Sequence, residues 1–212
     1  MSENIEIRID LEKSEEYILY LNKKFEEVHK SQEMVVTSYN KVIDVWCDPI
    51  SQRVGDCLRL IQASVKKANE EIGMYIKYVD EYGRQMSECY IGRAWAGHFK
   101  LEETTLKVRE DDRVNSSSIN GSTIEGIRSF EKALEEYIEN TRTHVAEINN
   151  QTVNINEYWD DKIYEKTKAC IDDFCGDMKK HIDTLEELKA NVTKRRIAFE
   201  IAINDYLKKV KR

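Results

Sequence analysis

The sequence predicts an all-α chain: two tandem antiparallel long-helix hairpins that form a four-helix bundle, a pseudo-dimer within one polypeptide. Three observations predict it. Composition is the first: 34% of the 212 residues are charged and 41% hydrophobic, with one Pro and eight Gly. That is the profile of long amphipathic helices rather than of an α/β enzyme. Periodicity is the second, because apolar residues recur in alternating steps of three and four over more than three heptads. Repetition is the third. Trp46-Cys47-Asp48 and Trp159-Asp160-Asp161 lie 113 residues apart, and the apolar pattern around them matches at that offset without a gap. Such an internal period fixes the repeating unit: a helix, a short Trp-centred turn and a second helix.

The first hairpin is assigned to residues 1–90. Its first seam runs Ile18, Leu21, Phe25, Val28, Gln32, Val35, Tyr39, Val42 and Trp46, with Gln32 its one polar member. The turn is chemically specified. Asp48 is suited to accept from a free backbone N–H, and Pro49 has no N–H to leave unpaired, the pattern of an N-cap followed by Pro at the first helical position. The seam then resumes as Val54, Leu58, Ile61, Val65, Ala68, Ile72, Tyr75, Val79, Tyr82 and Met86. At 1.5 Å per residue each helix should be roughly 50–65 Å long.

Residues 91–122 read as a linker. Gly92 to Gly97 suggests a frayed helix end, Leu106 to Glu110 a short strand or an extension, and Asp111 to Ser122 a flexible stretch by composition. Its reach allows the two hairpins to pack parallel or antiparallel. The second hairpin, residues 123–212, repeats the pattern with Ile127, Leu134, Ile138, Val145, Ile148, Ile155 and Trp159, and then Ile171, Phe174, Met178, Leu185, Leu188, Val192, Phe199 and Tyr206. Asp161 is placed to cap its second helix. This seam is weaker, because Glu131, Thr167, His181 and Arg195 also fall on it.

Charge and cysteine usage restrict the function. The net charge of -7 and the mixing of Lys and Arg with acids disfavour a nucleic-acid partner, which needs a concentrated basic face. No run approaches the ~18 apolar residues of a membrane span, and Met1–Asp10 carries no charged-then-apolar leader. A soluble, cytoplasmic chain is expected, with any export taking a route without a cleaved signal. Five Cys without a CxxC read as reduced thiols rather than a disulfide framework. Asn115 and Asn120 begin glycosylation-like triplets that carry no weight without a secretory signal.

Each half resembles the small Trp-x-Gly (WXG) helical hairpins of type VII (ESX) secretion, over roughly 11–90 and 124–212. The positions that carry the resemblance are Trp46 with Asp48 and Trp159 with Asp161. It implies two-helix units that work as dimers forming four-helix bundles, a protein partner such as an effector's helical domain or another WXG-like chain, and export by that system. Homo-oligomers would also be compatible. Both triplets have Asp where the family has Gly. The family's export signal, Tyr-x-x-x-Asp/Glu, is missing: Tyr78, Tyr82 and Tyr206 are followed at that distance by Tyr82, Met86 and Val210.

The candidate functional surface is therefore the pair of turns: Trp46, Asp48, Pro49, Trp159 and Asp161. The tryptophans close the hairpins, and the resemblance implies that such a turn can also join a partner surface. Trp95 and Phe99, beside His98, either form an exposed docking patch or cap the bundle's end. No catalytic or metal site and no cofactor is expected. Glu26 and His29 make one Glu-x-x-His step, but the repeat places Arg142 where a second His would stand, and di-iron bundles need two such steps. Cys170 and His181 are about 16 Å apart along one helix, too far for one ion. His181 reads as a core histidine or a pH-sensitive contact. Cys57 and Cys170 occupy equivalent positions and read as small buried residues; nothing beside them supplies a base and an oxyanion site. An enzyme is not expected. The preferred reading is a type VII secretion-associated binding protein, and the alternative is a cytosolic coiled-coil scaffold or spacer.

Overall fold

A computed structural model describes residues 8–87, 89, 94–99, 106–110 and 121–210. The glycosylation-like triplets at Asn115 and Asn120, and most of the stretch read as flexible, lie outside these residues. Four long helices dominate: α1 (Leu11–Val42), α2 (Pro49–Met86), α3 (Gly121–Asn154) and α4 (Lys162–Val210). With 32 residues in α1 and 49 in α4, they span about 48–74 Å. Two short strands, β1 (Arg8–Ile9) and β2 (Trp159–Asp160), pair antiparallel, with Ile9 opposite Trp159. The fold is all-α and bundle-like, with α1 packed on α3, α2 on α4 and α3 on α4.

The described residues fall into two compact units, and each unit contains a stretch of every helix. One comprises those of Met1–Val28, Ala63–Glu103 and Thr143–Met178; the other comprises those of His29–Gln62, Thr104–Arg142 and Lys179–Arg212.

In the first unit α1 runs antiparallel to α3. Tyr17 Oη lies 2.8 Å from Thr152 Oγ1, and seven residues further along α1, Lys24 Nζ lies 2.8 Å from Glu147 on the preceding part of α3. Phe25 stacks against Phe174 of α4 with ring centroids 5.0 Å apart, and Leu21, Ile72, Ile148 and Ile171 are fully buried around this layer. In this unit the heptad seam does what its spacing requires, placing one stripe of each helix away from water; at the end of α4 it does not, since the seam residue Tyr206 is 66% exposed. Each buried seam side chain contributes roughly 1.5–3 kcal/mol.

The second unit repeats the principle with different polar detail. Tyr39 of α1 meets Phe130 of α3 at 5.9 Å and crosses α2 at Gly55. A Cβ at Gly55 would collide with the Tyr39 ring, so the absent side chain is what lets α1 and α2 approach here. Three of the four polar residues that weaken the second seam are accounted for by partners of their side chains. Glu131 (α3) accepts from Arg196 Nε at 2.5 Å, and Arg196 also holds Glu200 at 2.7 Å. Arg195 reaches Asp48, and Thr167, in the first unit, donates to the Ile163 carbonyl. Gln32 differs. It is 1% exposed, and neither side-chain amide atom has a hydrogen-bond partner among the described residues.

Residues 106–110, expected as a strand or a helical extension, are neither. They form an irregular segment held by side chains of α1 and α2: Gln62 donates to the Leu106 carbonyl at 2.8 Å and Asn40 to the Lys107 carbonyl at 2.9 Å.

Candidate functional site

The first turn is built by capping. α1 ends as the Val45 and Trp46 amides both donate to the Val42 carbonyl. Asp48 then caps α2: its Oδ1 accepts from Ile50 N at 2.8 Å and Ser51 N at 3.0 Å, while Ser51 Oγ accepts from Asp48 N at 2.9 Å. This is a reciprocal capping box, in which orphan donors at the helix start are satisfied from both sides. Pro49 opens α2 and is exposed; Trp46 is 0% exposed. The second carboxylate oxygen of Asp48 lies 2.7 Å from Arg195 Nε, with the Asp48 side chain 8% and the Arg195 side chain 39% exposed.

The second turn shares the Asp half of this cap and is covered differently. A short 3-10 turn, Ile155–Glu157, leads into β2. Asp161 Oδ1 accepts from Ile163 N at 2.7 Å and Tyr164 N at 2.8 Å. Trp159 is again fully buried, against Tyr17 at 6.4 Å and Tyr164 at 5.6 Å. Here the segment that precedes α1 supplies the cover: β1 pairs with β2, and Asp10 N donates to the Tyr158 carbonyl at 2.7 Å. Neither indole therefore presents its ring to solvent. The turns expose Asp44 and Pro49 at the first, and Asn156, Glu157, Tyr158 and Asp160 at the second.

Trp95 and Phe99 do not form an exposed patch. Trp95 is 7% exposed, and its ring fills the space left by Gly83, where a Cβ would sit 2.6 Å from the indole. Phe99 is half-buried, edge-on to Phe25 at 6.1 Å and over Gly73. The physical reason for Trp95 is Gly83 of α2, which opens a slot that the indole fills; Phe99 packs at ordinary contact distance on Gly73 and edge-on to Phe25.

Among the described residues, one cluster has the donor set of a metal site: Glu27, His144 and Glu147, whose ligating atoms lie within 4.8 Å of one another. Lys24 already supplies the cation. Its ammonium is 2.7 Å from Glu27 and 2.8 Å from Glu147. The Glu147 and Glu27 bonds hold Lys24 above its ordinary range, and Lys24, then His144, hold Glu147 below the usual carboxylate range. The arrangement works as an α1–α3 ionic clasp. Glu26 and His29 take no part in it; His29 pairs with Glu33 at 3.5 Å.

None of the five cysteines is in a disulfide. Cys57 is buried and donates to the His181 carbonyl at 3.6 Å; burial pushes its thiol up to about 11. Cys175 donates to the Val145 carbonyl at 3.7 Å and is pushed up to about 12 by the same cause. Thiols raised in this way are poor nucleophiles near neutrality. His181 takes part in the contact through its backbone.

Sequence reasoning missed Gly73, Gly83, Asn40 and Glu15 as receivers of the linker. The signal lay in the repeat. At the 113-residue offset these positions are Glu186, Arg196, Val153 and Arg128, so the two hairpins differ where the linker packs. No protein-family model, curated protein or solved structure matches this chain.

Proposed function

We propose that this chain is a helix-bundle binding protein of the Trp-x-Gly type associated with type VII secretion, acting as an exported substrate or as an adaptor for an effector's helical domain. The observation that carries the reading is the twofold occurrence of one unit: a buried Trp at the end of a long helix, then an Asp that caps the next. In the family it resembles, two separate chains bring such units together; here one polypeptide carries both. Each hairpin's apolar stripe has a partner within the chain, so an external helix binds an outer face rather than completing an open hairpin. Apolar side chains available on outer faces include Met34, Leu60, Met74 and Tyr78, each more than half exposed. An amphipathic helix with apolar residues at i, i+3, i+4 and i+7 suits such a face.

The test is the distribution of the protein between medium and cytosol, with and without the secretion ATPase. ATPase-dependent appearance in the medium is expected for a substrate. Co-purification with an effector's helical domain, without export, marks an adaptor. Retention with no such partner rejects the reading and leaves the scaffold or spacer.

A further inference from the structure

From the linker's contacts we infer that the α1/α2 groove of the first hairpin is a peptide-binding groove, and that residues 94–99 are its resident ligand in cis. They form a strap that an incoming segment with the same Trp-x-x-x-Phe pattern displaces. The inference does not depend on the secretion reading.

The groove is built for a chain segment rather than for a helix. In the first unit, α2 offers two glycines at a ten-residue interval. Gly83 receives the Trp95 indole, which a Cβ there would strike at 2.6 Å; at Gly73 the Phe99 ring, which also meets Phe25 of α1, lies at ordinary contact distance, 3.7 Å from where a Cβ would stand. Between these slots the strap's main chain is read by side chains. The Ala96 N–H donates to Glu15, itself 4% exposed, and Asn22 donates to the His98 carbonyl. The strap turns tightly there, with His98 N donating to the Ala96 carbonyl at 2.9 Å, a three-residue turn. The His98 ring closes on Asp80 at 3.0 Å. Apolar slots for alternate side chains, with polar readers for the backbone, are how peptide grooves combine specificity with affinity.

The second unit reads the later part of the linker by the same means. Asn40 donates to the Lys107 carbonyl and accepts from Arg109 N, both at 2.9 Å. That two-residue step matches an extended chain, in which residues i and i+2 face the same way. Arg109 is fastened to Asp44 at 2.8 Å.

The internal repeat supplies the control. The second hairpin has the same helices and seam but none of these devices. At the equivalent positions Gly83 becomes Arg196, Gly73 becomes Glu186, Asn22 becomes Glu135 and Asn40 becomes Val153. Helix packing alone does not ask for the glycines or the amides, since the second hairpin packs without them. Glycine is also unfavourable inside a helix, so Gly83, where a Cβ would collide with the Trp95 indole, matches the groove's task.

A tethered ligand has a high effective concentration, on the order of millimolar for a short flexible linker. The wild-type groove should therefore be closed to weak competitors. The test uses the full chain. Gly83→Ala adds a methyl that the Trp95 ring cannot share space with, while raising helix propensity. Amide hydrogen exchange across residues 94–99 should quicken at least tenfold, with α2 unchanged; unaltered exchange overturns the inference. The second arm empties the groove with Trp95→Ala and Phe99→Ala together and adds a fluorescent synthetic peptide of residues 91–102. Saturable binding at least tenfold tighter than to wild type, abolished by adding Gly83→Ala, is the expected result. Absence of binding to the folded double variant overturns the inference. So does failure of that variant to fold, since it would make the strap an integral part of the core and not a ligand.

Discussion

The two capping aspartates make an internally controlled experiment, because one structural role occurs twice with different surroundings. Asp161→Ala removes only a cap: Ile163 and Tyr164 lose their acceptor, which costs about 1 kcal/mol. Asp48→Ala removes an equivalent cap and also the 2.7 Å pair with Arg195. A fully buried pair would cost about 3–5 kcal/mol to break from one side. Arg195, however, is 39% exposed along its side chain, so its guanidinium regains water, and the pair is closer to a surface bridge at about 1 kcal/mol. The expected loss is therefore about 2 kcal/mol for Asp48→Ala. Asn caps as well as Asp, so Asp48→Asn should lose only the pair, about 1 kcal/mol. For a chain of this size each kcal/mol moves Tm by about 2–4 °C. Thermal unfolding followed by helical circular dichroism should rank the variants wild type, then Asp161→Ala with Asp48→Asn, then Asp48→Ala, with 4–8 °C as roughly the largest fall. Equal losses for the two alanine variants, or no loss for Asp48→Asn, would refute the assignment of Arg195 to this turn.

Gln32→Met should stabilise the chain by about 1–3 kcal/mol in urea unfolding, because it replaces a buried amide without hydrogen-bond partners by an apolar side chain of similar length; a loss of stability would mean that the amide is satisfied. Gly55→Ala should cost about 1–3 kcal/mol through collision with Tyr39. Gly176→Ala, where a Cβ meets nothing within 4 Å, should gain up to about 1 kcal/mol; the same sign for both substitutions would contradict the packing described. Stability should fall as pH rises above about 9. Unfolded thiols ionise near 9.0, whereas folded Cys57 and Cys175 hold their protons until about 11 and about 12, so through that window the unfolded state binds fewer protons. The burial of Tyr17 and Tyr137 acts in the same direction. A urea midpoint that stays level between pH 8 and pH 10.5 would count against this, as would alkylation of Cys57 at pH 8 as fast as exposed Cys89.

The seams were legible because helical burial writes itself at a spacing of three and four. Leu21, Phe25, Val35, Ile61, Ile72, Leu134 and Ile148 could be placed inside from that spacing alone, and the caps could be read from Asp48-Pro49 and Asp161. What the sequence concealed were pairings between distant positions. Arg195 interrupts the α4 seam as a polar residue until it is set beside Asp48, more than 140 residues earlier; Glu131 does the same until it meets Arg196. The strands Arg8–Ile9 and Trp159–Asp160 are two residues each, too short for any periodic signal. Trp95 was ambiguous because an aromatic in a Gly-rich stretch suits both an exposed patch and the capping of a bundle's end. Only the Gly83 slot decides it, and that slot becomes meaningful when set against Arg196 of the second hairpin.

The β1–β2 pairing sets an order of events during synthesis. Ile9 leaves the ribosome first, and its partner Trp159 follows about 150 residues later. At roughly 5–20 residues per second, the segment before α1 waits on the order of 8–30 s for the turn it will cover. Until then the main-chain donors and acceptors of Arg8 and Ile9 must be satisfied by water or by another chain. The cover over the second tryptophan is thus among the last features of its unit to form. A chain halted before residue 159 would carry a complete first hairpin whose leading edge still presents an unpaired strand.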